Sequence, residues 1–173
     1  QWDWERIISK EERTVDFLKS IVCEIYSAMR ETESAVSKGF KSLKPRLPKD
    51  IVFIHSEELE SLYPKLTPRQ RETEIARKHG AVFLIGIGHP LKSGKPHDVR
   101  AADYDDWVTD TSPTTKGLNG DILVWDSVRQ DSLELSSMGI RVDAKSLAAQ
   151  LEMSGLSHRK SLDFHKGVLE DKV

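Results

Sequence analysis

Two carboxylates, Asp121 and Glu134, stand on the two sides of a predicted hairpin, so their oxygens can converge on one cation. Mg²⁺ takes one or two carboxylates and leaves its other positions to waters and substrate phosphates, so such a pair suits a magnesium ion held together with a nucleotide. The plain alternative is a pair of solvated strand residues. Ser137 and Arg141 follow on the returning strand and share a face, because even spacing keeps side chains on one side of a strand. Glu134 has the opposite parity to Ser137, so all three can line one pocket only if a bulge or sharp twist falls between them. The planar fork of Arg141 suits a carboxylate or a phosphate. Its plain alternative is a surface ion pair with Asp143 or another acid.

A second concentration of polar chemistry runs over residues 97–107 and carries Arg100, Tyr104 and the acids Asp98, Asp103, Asp105 and Asp106. Arg100 can hold a carboxylate, and Asp105 can face an ammonium group. The alternative is a solvated acidic loop with internal ion pairs. A third segment opens the chain: Gln1, Asp3 and Glu5 alternate with Trp2 and Trp4. In an extended strand this gives one polar face, fit for an α-amino group, over an aromatic one; an amphipathic edge strand would look the same. His89 and His97 lack a third ligand at zinc spacing, so zinc is excluded. Gly86 and Gly88 follow a strand, but Leu91 stands where the third glycine of a dinucleotide fingerprint belongs, and Pro90 stands where its helix should begin.

The elements that must position these groups can be read along the chain. Ser9 and Glu12 form a capping box, and Val15, Leu18, Val22, Ile25 and Met29 make one apolar stripe of a helix to about residue 37. Residues 51–54 form a short buried strand, and Ser56 caps a brief helix. Thr67, Pro68 and Gln70 open a further helix that Gly80 stops. Residues 81–87 are the clearest buried strand. Residues 91–120 are loop-rich, residues 121–125 and 133–142 form a hairpin, and Asp143 caps a helix to about Met153. A short amphipathic segment follows from Ser161. The fold class is α/β (α+β), in one domain.

Composition narrows the function. The 173 residues carry 26 basic and 28 acidic side chains, a net charge of −2, with no basic stripe of the kind that marks a nucleic-acid surface. No apolar run is long enough to span a bilayer, and no leader peptide is legible. The single cysteine, Cys23, cannot form an internal disulfide, which fits a reducing, cytoplasmic setting. By its helical position Cys23 is expected in the core. Glutamine hydrolysis commonly needs an activated cysteine nucleophile, so free ammonia is the better nitrogen donor for any amidation.

Four segments together resemble the ammonia-dependent asparagine synthetase family: residues 1–5 (QWDWE), 97–107 (HDVRAADYDDW), 117–125 (GLNGDILVW) and 134–143 (ELSSMGIRVD). Residues 52–56 and 80–88 also match, in the family's order and spacing. The resemblance implies the fold of class II aminoacyl-tRNA synthetase catalytic domains, an antiparallel sheet flanked by helices, in a homodimer. It implies ATP-dependent amidation of aspartate by ammonia through an aspartyl-adenylate, giving asparagine, AMP and pyrophosphate. It further implies Gln1, Asp3, Arg100, Tyr104, Asp105, Ser137 and Arg141 around the substrate, with Asp105 and Arg141 catalytic and Asp121 and Glu134 on Mg²⁺. Residues 1–173 are expected to be the central part of one catalytic domain. The upstream motif 2 arginine and the downstream motif 3 arginine are expected outside it, and the excised stretch is expected to be inactive and poorly stable. A non-catalytic synthetase-like protein that binds aspartate or nucleotide is the alternative.

Overall fold

A computed structural model describes residues 3–170. The first helix, α1 (Val15–Gly39), starts later than the Ser9 capping box predicts. Thr14 is its cap, its side chain accepting from the Phe17 N–H. Ser9 and Glu12 do bond, the Ser9 N–H donating to the Glu12 carboxylate at 2.7 Å, but they close a turn ahead of the helix. Two turns of chain therefore precede α1 and place Arg13 against the loops beyond the sheet.

Strand β1 (Val52–His55) leads into α2 (Ser56–Leu62), and α3 (Pro68–His79) leads into β2 (Ala81–Ile85). The cap of α2 is His55 and not Ser56: its Nδ1 accepts from the Glu57 N–H at 3.1 Å. The Ser56 hydroxyl is buried and donates to the Gly86 carbonyl at 2.6 Å. The α3 signals hold, with a reciprocal capping box at Thr67 and Gln70 and Gly80 at φ 79° as C-cap. Gly80 takes this left-handed turn because it lacks a Cβ. A small hairpin missed in the sequence, β3 (Asp110–Ser112) with β4 (Thr115–Lys116), interrupts the long loop. The main hairpin follows as β5 (Asn119–Asp126) and β6 (Asp131–Gly139), then α4 (Ala144–Met153), a 3₁₀ turn and α5 (Asp163–Leu169).

The four-stranded sheet has the order β1-β2-β5-β6. Its β2–β5 and β5–β6 pairs are antiparallel, as expected, while β1–β2 is parallel. Parallel neighbours need a crossover, and α2 and α3 supply it. β2 is buried along its whole length because both faces are covered. Ala81, Phe83 and Ile85 meet Leu18, Val22 and Tyr26 of α1 on one face, while Val82 and Leu84 meet Leu59 and Ile75 of α2 and α3 on the other. The period of two along the strand thus divides the core into two layers. A third cluster packs α4 and α5 against the loop, with Leu147, Leu151 and Val168 around Ala102 and Trp107.

Cys23 is exposed, not buried. The buried stripe of α1 is Leu18, Ile21, Val22 and Tyr26, and Cys23, one step of about 100° beyond Val22, turns out of it. Among the described residues no helix is long and apolar enough to cross a membrane.

Candidate active site

The register of the main hairpin decides which side chains meet. Ser136 pairs with Ile122, but Glu134 pairs with Leu123, so Leu135 is an extra residue on β6. This is the bulge that the parity of Glu134 and Ser137 requires. It returns Glu134 to the face it would otherwise leave, and Glu134 and Ser137 now share the side of Asp121 and Leu123. Asp121 faces Ser137 directly and Glu134 lies two pairs further along, opposite Leu123. The strand itself ends at Gly139, short of the predicted 142. Arg141 lies beyond it, in an isolated antiparallel bridge to Asp105.

That bridge brings the two polar segments together. Arg141 Nη1 donates to Asp105 at 2.8 Å, its Nη2 donates to Glu5 at 2.6 Å, and the guanidinium lies 3.2 Å over the Tyr104 ring. Asp105 is buried, and burial pushes its carboxyl above the usual carboxylate range, with Arg141 and Arg100 pulling it back down. Arg100 makes the second pair, both Asp121 oxygens accepting from its Nη2. Asp121 is also buried. Burial pushes its carboxyl up to about 6, Glu134 adds to the rise, and Arg100 and Ser137 oppose it.

An open cavity of about 570 Å³ is lined by Asp3, Arg100, Tyr104, Asp105, Ser137 and Arg141, together with Glu5, Arg6, Arg13 and apolar residues of α1. Six of the sequence-predicted site residues therefore meet in one place. Asp121 joins them through Arg100, and Glu134 stands exposed at the margin on the same sheet face. Gln1 lies outside the described residues. The N-terminal segment is not the predicted alternating strand: residues 3–8 pair with no strand, and Asp3, Trp4, Glu5 and Arg6 all border the cavity. Without a neighbouring ladder nothing imposes the period of two, and the Glu5–Arg141 bond is among the contacts that hold the segment there.

The loop acids divide their work. Asp98 is exposed and accepts from the Val99 N–H. Asp103 pairs away from the cavity, with Arg159 at 2.9 Å and His165 at 3.1 Å. Asp106 is fully buried and accepts from the Val108 and Thr109 N–H groups, from the Thr109 hydroxyl at 2.6 Å and from Arg13 at 2.8 Å. Arg13 also donates to the Arg141 carbonyl. Gln150 of α4 holds the loop from the other side, accepting from the Trp107 N–H and donating to the Ala102 and Asp105 carbonyls.

Arg13 and Gln150 had no role in the sequence reading, and Asp106 and Glu5 were read only as a loop acid and as part of a polar strand face, because their partners lie far away along the chain. Gly139 is a further such residue. A Cβ there would stand 2.7 Å from Asp105 Cγ and 2.7 Å from Asn119 Cβ. Gly139→Ala is expected to push Asp105 off Arg141 and lower turnover at least about tenfold, since misplacement of about 1 Å costs up to 10²-fold. Steady-state kinetics beside circular dichroism would check it; unchanged turnover would show that Asp105 moves freely.

A family model described as aspartate–ammonia ligase matches residues 1–173. The chain belongs to the aspartate–ammonia ligase family. Curated aspartate–ammonia ligases from Bacillus cereus (strains AH187 and Q1) and Bacillus thuringiensis (strain Al Hakam) are each 54% identical to this family member over 171 residues. The match covers 99% of this chain and 50% of each relative, so the chain spans about half their length. Among solved structures, Entamoeba histolytica asparaginyl-tRNA synthetase in complex with asparaginyl-adenylate aligns with a TM-score of 0.54 at 15% identity, covering 94% of this chain and 37% of that one. A second structure of that synthetase gives a TM-score of 0.53 at 14% identity, again covering 94% of this chain and 37% of the other. At such identity the likeness is one of fold, and it agrees with the class II synthetase architecture expected of the sequence.

The two carboxylates proposed for Mg²⁺ can be tested against this geometry. Among the described residues no cluster of three His, Cys, Asp or Glu side chains can hold a metal by itself. Glu134, on the same sheet face, adds to the electrostatic cost of ionising Asp121. A cation between them would relieve this, so the pair fits an ion whose other ligands come from phosphates and water.

The raised Asp121 carboxyl has a measurable consequence in the metal-free protein. Between about 3.8, its ordinary value, and about 6, the folded state holds a proton that the unfolded chain releases. The folded state binds more protons at Asp121 there, so the Asp121 contribution to stability falls as pH rises through that window. A shift of about 2 units sets a ceiling of about 3 kcal/mol on the loss. Chemical denaturation at pH 4.5 and 6.5 checks this: between the two the parent should lose stability relative to Asp121→Asn, in which the other titrating groups are unchanged.

Proposed function

We infer that a protein of the relatives' length carrying this chain amidates aspartate with ammonia at the expense of ATP. The observation that carries the reading is the convergence of Asp3, Arg100, Tyr104, Asp105, Ser137 and Arg141 on one cavity from three separate segments. Four arginines (Arg6, Arg13, Arg100, Arg141) and three carboxylates (Asp3, Glu5, Asp105) line it. Such a mixed wall suits a ligand carrying both signs of charge, as an amino acid does. The names of the relatives, all aspartate–ammonia ligases, and of the fold neighbour solved with asparaginyl-adenylate support the same choice.

On this reading Asp3, with Gln1, holds the α-ammonium group, and Arg100 holds the α-carboxylate of aspartate. Arg141 lies where negative charge gathers as the side-chain carboxylate attacks the α-phosphorus of ATP and pyrophosphate leaves. Tyr104 keeps the guanidinium flat and Asp105 fixes its tilt. Ammonia then attacks the acyl carbon, AMP departs, and Asp105 is placed to take the surplus proton from nitrogen. Ser137 stays within reach of Asp121 and the phosphates. Asp121 and Glu134 would hold Mg²⁺, which neutralises phosphate charge. In the structure Arg100 and Arg141 are each held by carboxylates of the chain, so substrate must exchange with Asp121 and Glu5 for them. Glu5 is exposed and is the easier to displace. A homodimer in the cytoplasm, without nucleic acid or membrane, completes the proposal.

Chromatographic product analysis tests it. With aspartate, ATP and ammonium the expected products are asparagine, AMP and pyrophosphate. ADP and phosphate would rule out the adenylate route. Binding of aspartate or nucleotide without any turnover would favour the non-catalytic alternative.

A further inference from the structure

A second cavity, of about 150 Å³, lies between the start of α2, the loop that follows β2 and the β3–β4 hairpin. Its polar wall is His55, Glu57, His89, Asp110 and Lys116. Three of these groups are already engaged. Lys116 is paired with Asp110. His55 accepts from the Glu57 N–H at Nδ1, and its Nε2 contacts the Lys116 carbonyl at 2.8 Å. An acceptor at one ring nitrogen makes the other the donor, so neutral His55 carries its proton on Nε2 and has nothing left to offer. Two atoms remain. Glu57 Oε2 and His89 Nδ1 are both buried and have no hydrogen-bond partner among the described residues. Buried polar atoms are almost always bonded, so an orphaned pair in one cavity points to a ligand.

The charge and donor pattern say which ligand. Glu57 and Asp110 against Lys116 leave one negative charge, while burial holds the His55 and His89 rings down towards neutrality. One small monovalent cation balances this. An imidazole nitrogen is a poor partner for an alkali ion but a good acceptor for an N–H donor. We propose that the cavity formed by Glu57 and His89 is an ammonium-binding site. Its place matters on the ligase reading. His89 follows Gly88, whose missing Cβ would lie 3.0 Å from Arg100 Cβ and 2.9 Å from Trp107 Cγ. Gly88, next to His89 in the chain, therefore packs directly against Arg100, which lines the candidate active site, and on the ligase reading the ammonium site supplies the nitrogen substrate from that side.

The test has two parts, both on a protein of the relatives' full length. The first depends on no activity: ¹⁵N-imidazole spectra during titration with ammonium chloride, with potassium chloride at matched ionic strength as control. His89 is assigned by its loss in His89→Phe. A saturable shift of the His89 Nδ1 resonance with ammonium only, weakened about tenfold or more in Glu57→Gln, is the expected result, since a hydrogen bond to a charged group is worth about that ratio. No shift, or an equal shift with potassium, overturns the site. The second part reads steady-state constants. In Glu57→Gln the KM for ammonia should rise about tenfold, on the same reasoning, with the KM values for aspartate and ATP unchanged. An unchanged KM for ammonia overturns the substrate-holding role. Ammonium binding in a protein that makes no asparagine would sink the ligase reading and leave the site standing.

Discussion

In a protein of the relatives' length, and on the proposed role of Arg141, Arg141→Ala should lower turnover about 10²–10³-fold, the usual cost of removing one preorganised donor at a developing charge and equal to roughly 3–4 kcal/mol. The guanidinium is fixed on three sides, by Asp105, Glu5 and the Tyr104 ring, so almost no reorganisation is needed when charge appears in front of it. The sequence alone leads one to expect an unchanged thermal midpoint. The structure alters that expectation, because the substitution leaves the buried Asp105 without its cation. Breaking a fully buried pair costs several kcal/mol, but Arg141 is 38% exposed, which reduces the expected loss of stability to about 1–2 kcal/mol. Arg141→Lys should be nearly as inactive, since an ammonium cannot span Asp105 and Glu5 and still lie flat on Tyr104. Stopped-flow or steady-state turnover beside denaturant melts separates the two effects. A variant that melts early but turns over normally would make Arg141 a structural ion pair only.

What could be read in the sequence follows from the range of each interaction. The α3 capping box and the Asp143 cap are local patterns that stand where they were expected, and the buried strand expected over residues 81–87 forms over 81–85. The need for a bulge was legible too, because parity along one strand is a local property. The failures are of another kind. Ser9 and Glu12 have the right residues for a cap, yet the helix waits for Thr14, since a capping box also closes a simple turn. Cys23 fell in a helix whose buried stripe is narrow. Arg100 and Asp121 could each be assigned a ligand from their types, but not each other, because their pairing depends on how the loop lies over β5. Arg13 and Gln150 carry no motif, Asp106 lies in one but without a distinct role, and their importance appears only when residues 13, 106, 141 and 150 meet.

Asp106→Ala should be the most destabilising single change in the candidate site. Asp106 is fully buried and its carboxylate accepts from two backbone N–H groups, the Thr109 hydroxyl and Arg13. Alanine takes this acceptor from all four donors, and Arg13, at 17% exposure, keeps only the Arg141 carbonyl and Asp143. Removing one member of such a buried pair costs about 3–5 kcal/mol, which for a chain of this size lowers the melting midpoint by roughly 10 °C. Asp106→Asn should fall between, because an amide oxygen still accepts from the turn while the charge that holds Arg13 is gone. The damage should reach the site as well. The Asp106 N–H donates to the Ile140 carbonyl at 2.8 Å and its carbonyl accepts from Leu118 at 2.8 Å, which sets Asp105 beside Arg141. Where enough folded protein remains, kcat should fall more than KM changes, with partial recovery in Asp106→Asn. Differential scanning calorimetry and kinetics on both variants decide it. A midpoint within a degree or two of the parent would mean that water replaces the carboxylate and that Asp106 is not what aligns Asp105 with Arg141.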